Sequence, residues 1–169
     1  PLIAACHNLA AMTGRATADG EALFRWTTPA FAGETISEAR LRRAACVLAD
    51  LEWSEHPDYR AEHALLRILR YPLIGVDHPG RAYMGLAVAS RHAKVRESLL
   101  ERYLHGLLDS AELRRAKAAG LAMRLAYTFS GGVISLLEQT ALRREGDRLK
   151  LELPGHADVL VGDVVQSRF

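Results

Sequence analysis

Lysine is scarce in this sequence: of 22 basic residues only three are lysine and 19 are arginine. The formal net charge is only +2, too small to argue for a nucleic-acid partner. The arginine excess is first what a GC-rich coding sequence produces. Its physical consequence is that a planar guanidinium fork grips phosphate or carboxylate at two points, where lysine offers a point charge. Cysteine is nearly absent too. Cys6 and Cys46 sit in apolar helical surroundings without C-x-x-C spacing, which argues against a disulfide framework or a zinc knuckle and fits a reducing cytoplasm. No apolar run approaches the length of a membrane span, and the N-terminus lacks the basic-then-apolar pattern of a secretory signal. There is no internal repeat, no low-complexity linker and no glycine-rich phosphate loop ahead of a helix.

What is present is a helical chain. Its 169 residues, 49% hydrophobic, suffice for one well-buried domain. It begins at Pro1 without methionine and stops at Phe169 inside "ADVLVGDVVQSRF", a pattern that still reads as helix, so a piece of a longer protein is expected. Helices are predicted over residues 1–13 and from Asp19 to Thr28, the second with Asp19 as N-cap and with Pro29 and Gly33 breaking the chain beyond it. In "SEARLRRAACVLADLEW" Leu41, Ala44, Ala45, Leu48 and Leu51 recur at helical spacing behind a Ser37 cap. A fourth helix, 58–70, carries an apolar stripe of Ala61, Ala64, Leu65 and Ile68 and a basic edge of Arg60, His63, Arg67 and Arg70. Tyr71-Pro72 closes it.

Asp77 is predicted to cap a fifth helix, 78–92, with Pro79 in its first turn, where no amide donor is needed. A sixth covers 96–108 with Leu99, Leu100, Tyr103, Leu104 and Leu107 inward. A seventh, capped by Asp109 or Ser110, is apolar on all sides around Arg124 and is predicted to lie at the centre of the bundle. After Gly131-Gly132 the pattern alternates on both sides of Glu145-Gly146-Asp147, the mark of a β-hairpin.

The stretch "EHPDYRAEHALLRIL" (55–69) poses the chemical question, because two histidines, an aspartate and two glutamates fall within nine positions. HD-superfamily phosphohydrolases hold metal through a contiguous His-Asp pair on a helix. Here the corresponding helix reads "CVLADLEW", so Asp50 follows Ala49 and has no histidine beside it. His56, His63, His78 and His92 remain scattered candidates without a shared focus. The competing structural reading takes Ser54, Asp58 and Asp77 as helix caps worth roughly 1 kcal/mol each. That leaves Arg60, Arg81, Arg91 and His92 near helix termini, where an anion is favoured at the positive end. Arg124, in an otherwise apolar helix, is expected to pair with an acid such as Asp50 or Glu52, to snorkel, or to hold an anion.

Several landmarks together resemble one family. "RLRRAACVLADLEWSEHPDYRAEHALLRIL", "GVDHPGRAYMGLAVASRH", "LAMRLAYTFSGGV" and "LRREGDRLKLELP" look like the C-terminal helical domain of the exopolyphosphatase/guanosine pentaphosphate phosphohydrolase family, closest to its alphaproteobacterial branch. The resemblance covers about 36–155, and HPDYR followed by DHPGRA is its most specific part. It implies a mainly α, HD-like helical bundle with a small C-terminal β-hairpin and a following helix. The division expected is lead-in helices over 1–35, the HD-like core over 36–130, and the hairpin with the start of a final helix over 131–169.

It further implies an upstream actin-like domain carrying the catalytic carboxylates and the phosphate loop, with Mg as that enzyme's ion, and a homodimer. For this chain it implies polyphosphate or guanosine pentaphosphate as partner, with no catalytic residue and no cofactor; separately, because Asp50 lacks an adjacent histidine, no bound metal is expected. The candidate polyphosphate contacts are Arg60, Arg67, Arg81, Arg91, His92 and Arg124. Glu52 departs from the small, glycine-containing turn usual after the third helix. Two other readings stand beside this one: a free-standing HD-type metal phosphohydrolase, and an interaction module whose role is oligomerisation alone.

Overall fold

The computed structural model describes residues 1–12 and 19–153. It is mainly α, as predicted. Among the described residues the α-helices are α1 (Leu2–Met12), α2 (Asp19–Thr27), α3 (Ile36–Val47), α4 (Pro57–Arg70), α5 (His78–His92), α6 (Glu97–Leu104) and α7 (Ser110–Ser130). Short 3-10 helices cover Thr28–Phe31 and Ile134–Gln139, and β1 (Ala141–Glu145) and β2 (Arg148–Glu152) close the described chain. The predicted capping by the Asp19 side chain and the final helix lie outside the described residues. None of the described helices is long and apolar enough to cross a membrane.

Local chemistry sets most of these boundaries. Asp77 caps α5 by accepting from Gly80 N at 2.9 Å, as predicted, and Tyr71 before Pro72 ends α4. Asp109 caps α7, accepting from Glu112 N while the Glu112 carboxylate accepts from Asp109 N. The cap of α3 is Thr35 and not Ser37. Thr35 Oγ1 accepts from Glu38 N at 3.2 Å, and the Glu38 carboxylate accepts from Thr35 N at 2.8 Å. From Ser37 the third position on is Arg40, which has no carboxylate to return the bond. At α4 the cap is His56, whose Nδ1 accepts from Asp58 N at 3.3 Å, so Asp58 and Ser54 are not the caps predicted.

α3 also stops earlier than its periodicity suggests. After Val47 the chain tightens into successive turns in which Leu51 N donates to Leu48 O, Trp53 N to Asp50 O and Glu55 N to Glu52 O. Glu52 takes a left-handed φ of 61°, which ends any helical continuation. Likewise α6 ends at Leu104, short of the predicted 108, ahead of Gly106 with φ 72°.

The centre of the bundle is α5, not α7. Every residue from Ala82 to Ser90 is buried, with α4 and α7 packed against α5 and α3 alongside. Small side chains explain the choice. A Cβ on Gly85 would stand 2.9 Å from Leu65 Cδ1, and one on Gly120 only 2.4 Å from Ala87 O, so both flanking helices approach α5 closely. α7 buries Ala116, Ala119, Met123 and Phe129 but leaves Leu121 55% exposed.

The hairpin pairs Leu142 with Leu151 and Glu145 with Arg148, leaving Gly146-Asp147 as the turn. It is tied to the helices through buried Leu142 and through Trp26 Nε1, which donates to Thr140 Oγ1 at 2.9 Å. A fully buried Arg42 links α3 to the α2 end. It donates to Glu34, Thr27, Thr28 and the Phe24 carbonyl, between the Phe24 and Phe31 rings. Every charge-bearing edge of that guanidinium is satisfied, which is what burial requires.

Candidate functional site

The six nominated residues occupy three places. Arg91, His92 and Arg124 meet at the C-terminal end of α5, with Arg60 near enough for its charge to disfavour protonation of Arg91 and His92. Arg67 lies further along α4. Arg81 is at the opposite end of α5, ten residues or about 15 Å of helix away from Arg91.

The first group is a closed knot. Arg91 Nη2 donates to Asp50 Oδ1 at 2.7 Å, and its Nη1 lies 2.7 Å from His92 Nδ1. Its guanidinium stacks 3.8 Å from the Tyr127 ring centre. His92 Nε2 is 2.9 Å from Leu51 O. One tautomer satisfies both contacts: Nε2–H donates to the carbonyl, and the bare Nδ1 accepts from Arg91. Burial first, and the Arg91 charge next, push His92 down to a pKa of about 3, so the ring is neutral at neutral pH. Burial likewise raises the Tyr127 phenol, with Asp50 adding to it.

Arg124 Nε donates to Arg91 O at 3.0 Å, and its Nη2 donates to Ser90 O. The helix end gathered here is therefore the negative one, and Arg124 serves its terminal carbonyls. The expectation of positive dipole ends fails for Arg91 and His92 for this reason. The knot pins the turns after α3 to α5 and α7.

Along α4, Arg60 donates from Nε and Nη2 to Glu55 O. Arg67 Nε sits against Glu52 Oε1. Arg70 is exposed and makes no ion pair among the described residues. Glu52, His63, Leu66, Arg67, Arg70, Tyr71 and Pro72 line an open cleft of about 470 Å³. Arg81 Nη2 donates to Leu73 O at 3.1 Å, while its Nε is buried without a hydrogen bond.

Sequence reasoning did not anticipate that Glu52, Glu55 and His63 converge, with one donor atom from each within 4.8 Å of the others. His63 stood among the candidate ligands, but the two glutamates were not assigned to it. The available signal was Glu52 in a turn where the resembled family has a small residue.

The chain matches the family described as exopolyphosphatase, C-terminal, over residues 2–169. No curated protein matches it.

Proposed function

Because the chain belongs to the exopolyphosphatase C-terminal domain family, we propose that it serves a phosphoanhydride hydrolase by holding polyphosphate rather than by cleaving it, and within the family we place it nearest the alphaproteobacterial branch. The observation that carries the binding role is the α4 cleft, where Arg67 and Arg70 both reach solvent and Arg70 has no competing acid among the described residues. Polyphosphate is a linear polyanion, and guanidinium groups spaced one helical turn apart suit successive phosphates. In this reading Arg91, His92 and Arg124 act through position, holding α5 and the turn at 48–55 from which α4 starts. Catalytic carboxylates and Mg belong to the actin-like domain that the family carries upstream.

Binding of this kind releases counterions, so affinity falls steeply with salt. Arg67→Ala and Arg70→Ala are each expected to flatten the log-log salt slope by roughly 0.7, whereas Arg91→Ala leaves the slope unchanged if the fold survives. Salt-independent binding, or none, sinks the role. Competition between polyphosphate and guanosine pentaphosphate then separates the two substrates. Phosphate release by this chain alone, abolished by a chelator, would instead support the HD-type hydrolase. A homodimeric role is favoured by the outward face of α7, where Leu121 stands exposed beside Ala118 and Ala122. Leu121→Asp is expected to shift a dimer to monomer in sedimentation.

A further inference from the structure

We propose that Glu52, Glu55 and His63 form a three-ligand site for a divalent transition-metal ion of the Zn²⁺ class. This departs from the expectation of no metal, which rested on Asp50, and it uses different residues. The stretch that raised the question divides. His56 and Asp58 are occupied as the N-cap and first turn of α4 and Glu62 faces Arg96, while Glu55 and His63 turn toward Glu52, three residues ahead of the stretch.

The geometry is close to what an ion needs. The three donor atoms lie within 4.8 Å of one another, and His63 Nδ1 is already 3.3 Å from Glu55 Oε2. Ligands at about 2.0–2.2 Å from Zn²⁺ stand about 3–3.5 Å apart, so only a small closure is required. The half-exposed His63 and Glu55 side chains are free to make it.

A second observation points at a cation. The Glu52 side chain is only 7% exposed, and its buried Oε1 has no hydrogen-bond donor; Arg67 Nε presses against that oxygen as an ion pair, off the line of a hydrogen bond. The ion pair balances the charge but leaves a buried acceptor without a hydrogen bond, an arrangement that is rare for buried oxygens. A metal bound by the Glu52 carboxylate would supply the missing partner.

The ligands are also held in place from outside the site. Glu55 N donates to Glu52 O at 3.0 Å, and Arg60 clamps the Glu55 carbonyl. The Tyr59 ring lies over His63 with centres 6.0 Å apart. Two carboxylates and an imidazole suit Zn²⁺, Co²⁺ or Ni²⁺, whereas Mg²⁺ and Ca²⁺ favour oxygen alone. Because Glu52 and His63 line the α4 cleft with Arg67 and Arg70, a fourth position opens toward solvent. Arg67 is the resident competitor for Glu52.

Metal affinity is read with the ion alone, so its failure is distinct from failure of the polyphosphate role. The metal-free 169-residue chain is titrated with Zn²⁺ by calorimetry and with Co²⁺ by visible absorption near neutral pH. One ion per chain is expected. His63→Ala and Glu55→Gln should each weaken binding at least about tenfold, and Arg67→Gln should tighten it. Both ligand variants lie on exposed side chains, and an unchanged metal-free melting temperature shows that they fold. Wild-type protein that binds no better than His63→Ala, or that binds no ion at millimolar concentration, overturns the proposal.

Discussion

Arg91 and Asp50, 41 residues apart, form a buried ion pair, Nη2 to Oδ1 at 2.7 Å with side chains 11% and 7% exposed. Asp50 is the acid that an HD-type metal protein would pair with a neighbouring histidine; here a guanidinium from α5 neutralises it. Removing one partner strands the other in low dielectric. Arg91→Ala is therefore expected to cost about 3–5 kcal/mol, and adding Asp50→Asn should recover part of the loss. Urea unfolding of the two single variants and the double variant checks this.

His92 makes stability depend on pH. Its folded-state pKa, about 3, lies below the usual value near 6.5 for an unfolded histidine. The unfolded chain then binds the extra proton, so the contribution is complete above about pH 6.5 and is lost as pH falls toward the folded value. Between about pH 6.5 and 5 the slope approaches about 1.4 kcal/mol per pH unit from this one group. Denaturation curves across that range should be flatter for His92→Gln than for wild type.

Arg124 supplies charged donors to two terminal carbonyls of α5. Arg124→Ala should cost about 2 kcal/mol, from hydrogen bonds to a charged group at the negative helix end. Arg124→Lys, with no planar fork to span both carbonyls, should recover only part. A melting temperature unchanged by the alanine variant would contradict this role.

Glu52 sits at φ 61° with a buried carboxylate. Replacing it with glycine relieves the left-handed strain, and replacing it with alanine does not. Glu52→Gly should therefore be about 1 kcal/mol more stable than Glu52→Ala in urea unfolding, since both lack the acid and differ mainly in backbone preference.

The helices were legible, and so were the ends set by proline or by Asp77 and Asp109, because those causes lie within four residues of one another; the caps of α3 and α4 and the C-terminal ends of α3 and α6 were not. The bounds of α5, its Asp77 cap, the stripe of Ala61, Ala64, Leu65 and Ile68, and the hairpin about Gly146 arise from periodicity, proline and turn chemistry acting locally. What the chain alone did not reveal is which helix is central, and which acid each arginine meets. Those depend on how closely helices approach, and the approach turns on Gly85 and Gly120 letting α4 and α7 close on α5. Once they close, Arg91 reaches Asp50, Arg124 reaches the α5 carbonyls, and the left-handed turn at Glu52 brings its carboxylate to His63. Local sequence determines where a backbone is helical; a charge's partner is decided only by packing, because a guanidinium's energy depends on burial and on the acid or carbonyl that burial places beside it.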